Sequence, residues 1–282
     1  MNISPANVAL EIASFRNQAL SSLMNLPADT PADSETTDFA QILGMKTAEN
    51  SSVGEAGHLS DPDSAFRMMS QINEKEVLYK AQFAELSAMG NSVERLEMLG
   101  GHLSDIDTAS GNTDIKLQLE EFVGQYNAWV ARFAPVVETG GVLDDVQAAE
   151  ISLYELEQSV KNIFNGAASG VDGLGDLGIS IDAMNKRATL DTAKLTEVLA
   201  SNKQGVVNAI DEFSANFARS ADLLNAADNF IPTQLDNRSR AIDYIADNKV
   251  SLQAEFGAGN SARPTDAVAK ALAAYEQAFS IR

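Results

Sequence analysis

Cysteine is absent from the 282 residues, and histidine occurs only at His58 and His102. The first absence excludes disulfides, thiolate metal sites and cysteine nucleophiles. The second leaves too few imidazoles for a histidine-built zinc site and nearly starves a Ser-His-Asp triad. Aromatics make up only 6% of the chain, with one tryptophan, which favours thin helical packing over a thick globule. Basic residues number 20 against 40 acidic ones, a net charge of −20. Such a field repels phosphate backbones and anionic lipid, so neither nucleic acid nor membrane insertion is expected. Its plainest consequence is solubility. No window approaches the roughly 20 apolar residues of a membrane span. Glu11 interrupts the mildly apolar N-terminal stretch, and no basic region precedes it, so no cleavable secretory signal is expected. A chain of this kind that leaves the cell is expected to use a route needing neither.

What is present is mostly helical periodicity. Residues 1–61 are rich in Ser, Thr, Ala, Asp and Asn, with Phe15 and Phe39 as their only aromatics. They read as a weakly ordered segment with too little apolar surface to offset ordering entropy. Two islands, Val8-Ile12-Phe15-Ala19-Leu23 and Phe39 to Met45, have the look of docking segments. Asp61-Pro62-Asp63-Ser64 is a helix-start signal. The helix it opens carries Met69, Ile72, Tyr79, Phe83, Leu86, Val93 and Leu96 on one stripe, with weak points at Glu76 and Gly90. Gly100-Gly101 is expected to stop it.

A second helix carries Ile115, Leu119, Phe122, Tyr126, Trp129, Phe133 and Val136 in unbroken steps of four and three. Pro135 is expected to end or kink it. Gly140-Gly141 allows a reversal into a third helix with Val146, Ala149, Leu153, Leu156, Val160 and Ile163. The spacing then changes. Leu177 to Asp182 reads as a strand with Ile179 and Ile181 on one face, Asn185 supplies a left-handed turn residue, and Arg187 to Leu190 returns as its partner. A lone hairpin is marginal in water, so it should rest on a helix.

Asp191 or Thr192 caps a fourth helix carrying Leu195, Leu199, Val206, Ile210, Phe213, Phe217 and Leu224, with Asn202 and Gly205 as possible breaks. Pro232 is expected to separate it from a fifth helix with Leu235, Ile242, Ile245, Leu252 and Phe256. Residues 257–282 form a loop and a last short helix with Val268, Leu272, Tyr275 and Phe279. The fold expected is mainly α: an elongated, antiparallel helical bundle or coiled coil over 62–256, with one small β-hairpin near 177–191.

Chemistry is hard to find. The acidic loop Asp105, Asp107, Gly111, Asn112 and Asp114 resembles a calcium loop, yet Ala109 and Ser110 stand where a ligand and a glycine belong. It reads as an ordinary turn, and no metal is expected. Glu120-Glu121 and Asp144-Asp145 read as solvated faces, since sequence neighbours on a helix point apart. Gly170 to Gly175 lacks the lysine of a phosphate loop and precedes a strand. No catalytic residue, cofactor or small-molecule substrate is expected.

Three stretches, in order, are similar to the flagellar filament-cap (hook-associated protein 2) family. Phe122-Val-Gly-Gln-Tyr-Asn-Ala-Trp129 resembles its "FV-x-x-YN" helix, and Gly141-Val-Leu-Asp-Asp145 its "G-x-L-x-x-D" start of the next helix. Leu174 to Asp182 followed by Thr189 to Leu195 resembles its "L-x-x-LGI-x-x-D … L-x-LD-x-x-KL" hairpin and helix. Ala81 to Val93 adds an upstream match to its N-terminal helix. The family carries a large variable insert where this chain has only His102 to Asp114, so the likeness is to a shortened member without cap-plate domains. The resemblance implies a structural protein, not an enzyme. It implies export through the flagellar type III channel, homo-oligomerisation through coiled-coil legs, and contact with flagellin or hook-junction proteins. The alternative is a cytoplasmic adaptor or chaperone for an exported subunit. The residues expected to form the packing and assembly seam are Phe122, Tyr126, Trp129 and Phe133 against Leu153, Leu156 and Val160, with Ile179, Ile181 and Leu195 at the hairpin.

Overall fold

The computed structural model describes residues 62–162 and 170–279. The N-terminal islands and Ile163 lie outside them. The described residues are mainly helical with one two-stranded antiparallel hairpin. In chain order they form α1 (Pro62–His102), a 3-10 turn (Leu103–Asp105), α2 (Asn112–Val137), α3 (Gln147–Lys161), β1 (Ile179–Ile181), β2 (Ala188–Leu190), α4 (Thr192–Asn225), α5 (Phe230–Phe256) and α6 (Asp266–Phe279).

The 41 residues of α1 span about 60 Å at 1.5 Å per residue, and α4, α5 and α6 all pack along it. The pairing follows from which side chains meet. Ser214 Oγ on α4 donates to the Gly101 carbonyl at 3.2 Å, and Asn225 Nδ2 donates to Gly90 O at 2.9 Å. Moving down α1 thus means moving up α4, and the two helices are antiparallel. The same sense continues on α5, where Arg238 Nε donates to Gln82 Oε1 at 2.7 Å and Lys249 Nζ pairs with Glu76 at 2.8 Å. So α4 and α5 cover α1 one after the other. Ahead of α6, Asn260 is held at Ser70 and Asn73, and near its end Tyr275 and Phe279 meet Phe83 edge-on at 5.9 and 5.6 Å, so α6 runs parallel to α1.

Gly100-Gly101 does not stop α1, which runs through both glycines to His102. The reason is a neighbour. A Cβ at residue 100 would lie 2.5 Å from Phe217 Cδ1, so glycine here lets α4 approach the backbone of α1. Pro232 likewise does not precede α5; the helix opens at Phe230, and the proline sits in its first turn, where its missing N–H has no intrahelical partner to lose. Pro135 lies inside α2, two residues before its end at Val137. Asn202 takes a non-helical conformation (φ −150°, ψ 62°) and kinks α4.

The main core gathers the stripes of α1, α2, α3 and α4. Phe122 meets Phe213 and Phe217 of α4 edge-on, both at 5.1 Å, pairs worth about 0.5–1.5 kcal/mol each beyond burial. A second, smaller cluster of Ala81, Val142 and Ala271 seats α6.

Candidate functional site

The hairpin and its surroundings are where the motif residues converge. β1 and β2 pair in the register Ile179↔Leu190, Ser180↔Thr189 and Ile181↔Ala188. Before β1, Gly178 has φ +92°, and a Cβ there would lie 2.7 Å from the Asp191 carbonyl. Only glycine permits both the left-handed backbone and the approach, which brings the Asp191 N–H onto Gly178 O at 2.9 Å. Asp191 then caps α4, its Oδ1 accepting from the N–H groups of Ala193 and Lys194 at 3.0 and 3.1 Å. Lys194 Nζ reaches back to the Gly175 carbonyl at 2.9 Å. Leu174, Leu177 and Leu195 are completely buried beneath.

The hairpin rests on α2. Asn127 clamps β2 from both sides: its Nδ2 donates to Ala188 O at 2.8 Å and its Oδ1 accepts from Ala188 N–H at 2.7 Å. Tyr126 Oη donates to the Lys186 carbonyl at 3.2 Å. Burial, with the Glu157 carboxylate adding to it, pushes the Tyr126 phenol well above its ordinary range. At the tip, Asp182 Oδ1 accepts from the N–H groups of Met184 and Asn185, both at 2.9 Å, which draws its pKa down. The residue with positive φ is Lys186 (φ 61°). Asn185, expected to fill that place, instead accepts from Arg187 N–H at 3.0 Å through its side chain.

The turn between α2 and α3 uses the Gly141 motif. Leu143 N–H donates to Val136 O at 2.9 Å, and Gly140 N–H donates to Asp144 Oδ2 at 2.7 Å. Asp144 is therefore a turn-holding residue and not part of a solvated face. In the acidic loop, Asp107 Oδ1 accepts from the N–H groups of Ala109 and Ser110, both at 2.8 Å. No cluster of metal-ligating side chains occurs among the described residues.

The expected seam lies in one interior. Phe122, Tyr126, Trp129, Phe133, Leu156, Val160, Ile179 and Leu195 are buried, while Leu153 and Ile181 are half-buried. Covered by their own chain, the buried ones offer no stripe to a second protomer. Two roles escaped the sequence. Asn127 is a poor helix former in mid-helix beside a buried tyrosine, a signal for a side chain answering backbone elsewhere. Glu157 falls on the α3 stripe between Leu153 and Val160, and is nearly buried, held by Lys161 and, at 3.4 Å, by Lys186.

No protein-family model matches the chain, and no curated protein does. Among solved structures, the chain has a weak, partial likeness to a crystal structure of the flagellar cap protein FliD, domains D1-D2-D3, from Escherichia coli. The identity is 19% and the TM-score 0.40, over 46% of this chain and 37% of that one. The chain thus spans little more than a third of the cap-protein chain it resembles.

Proposed function

We propose that the chain is a structural assembly protein of the bacterial flagellum, a shortened relative of the filament-cap proteins that works by binding axial proteins and copies of itself. One observation carries the reading. The first and third stretches that resemble the family are far apart in sequence, yet they meet at one hairpin. Asn127 and Tyr126 of the first motif hold the backbone of Ala188 and Lys186, in the turn between the two halves of the third. Gly178, Asp191 and Lys194 of the third lock strand to helix. The helix of the first stretch thus holds the hairpin that the third stretch builds.

The proposal includes export through the flagellar type III route and residence outside the cell. Fractionation tests it. An antibody to the chain should find it in sheared flagellar filaments of the cell that makes it. Recovery only from the cell interior, in a soluble one-to-one complex with an exported subunit, would replace this reading with that of an adaptor.

A further inference from the structure

Between α2 and α3, beside the hairpin tip, runs an open groove of about 250 Å³. Its floor and walls are apolar, formed by Val130 and Ala134 of α2 with Leu153 and Tyr154 of α3. Tyr154 is 60% exposed, a large aromatic left at the surface on a helix whose other face is core. Two acidic residues line the groove, and they differ. Glu157 is already ion-paired to Lys161 and Lys186. Glu150 is exposed and forms no ion pair among the described residues. Lys186 stands on the opposite rim in a left-handed conformation where glycine would be less strained, and its side chain spans to Glu157.

We infer that this groove receives an amphipathic helix of a different protein, one that seats a large apolar residue against Tyr154 and Leu153 and sets a lysine or arginine against Glu150. Charge decides the occupant. Two copies that each carry −20 repel at long range, which disfavours a second copy as the occupant. A helix with a basic flank supplies the one partner the groove lacks. An apolar ridge in a groove is a common way for helices to be recognised. The inference stands independently of the flagellar reading.

The test uses the full chain and a fluorescent helical peptide of about 20 residues, with an apolar ridge and flanking lysines. A second peptide carries glutamates in place of the lysines. The lysine peptide should bind saturably by anisotropy, and Tyr154→Ala should weaken it about tenfold. Glu150→Lys should weaken it about threefold and reverse the preference toward the glutamate peptide. Both positions are exposed, so unchanged helical content by circular dichroism is the expected control. Absence of saturable binding, or binding indifferent to Tyr154→Ala, would overturn the assignment. So would displacement of the peptide by unlabelled chain together with a dimer that Tyr154→Ala dissociates, since the occupant would then be a second copy.

Discussion

At the scale of single residues, Trp129 shows how packing and polarity compete. Its ring lies between Tyr126 and Phe133, with centroids 6.5 and 6.0 Å away, and only 4% of the residue is exposed. Its indole N–H is buried without a hydrogen-bond partner among the described residues. An orphaned donor costs about 1–3 kcal/mol, so the site keeps tryptophan for its volume alone. Trp129→Ala is expected to cost about 3–5 kcal/mol by denaturant unfolding. Trp129→Phe removes the orphan along with part of the ring, and should cost less than about 2 kcal/mol. A phenylalanine variant as damaged as the alanine one would mean that the N–H has a partner after all. Burial of this kind was legible in the chain, because steps of four and three from Ile115 to Phe133 leave no other face for the core. The orphan was not, since periodicity says where a side chain points and nothing about what its polar atom meets.

At the scale of elements, the hairpin and the α1–α5 pair depend on a few polar contacts. Asn127→Ala leaves both backbone groups of Ala188 without their clamp, in a residue only 2% exposed. The expected loss is about 1–3 kcal/mol, and hydrogen exchange should accelerate in β1 and β2 before it does in α4. Uniform acceleration would mean that the hairpin is held by its apolar face and not by Asn127. Glu76 acts between helices. Burial alone would raise its pKa, but hydrogen bonds from Lys249 and Lys80 outweigh burial and hold it below its ordinary value of 4.5. A carboxyl whose folded pKa is lowered contributes stability that is present above 4.5 and lost as pH falls through the folded value. Glu76→Gln should therefore lower the melting temperature at neutral pH and flatten its decline below about pH 4.5. A wild-type melting curve insensitive to acid in that window would remove the contribution. The helices themselves were readable from sequence, as was a cap at Asp191 or Thr192, which the structure places at Asp191, because each depends on neighbours within a few positions. Gly100 and Asn185 were misread for the opposite reason. Phe217 is more than a hundred positions from Gly100 in sequence, and the left-handed residue of a six-residue turn is set by the Asp182 and Asn185 side-chain bonds, which spacing alone does not order.

At the scale of the whole molecule, charge and burial together restrict how copies can meet. The α2 stripe, the clearest in the sequence, is used inside the chain by α4 and the hairpin. The self-association proposed above would then use what remains outside, and the exposed apolar side chains there include Met98, Leu117 and Val250 on three different helices. Each is a small contact set in a field of −20, so attraction is short-ranged and repulsion long-ranged. Raising salt from about 0.05 M to about 0.5 M shortens the screening length severalfold and leaves apolar contact intact. Sedimentation velocity of the full chain should accordingly show larger species at the higher salt, with Val250→Asp shifting the distribution back toward monomer. Dissociation on adding salt would be the contrary result. It would mean that copies meet through complementary charges, and that the acidic excess is offset by a basic surface on the facing copy.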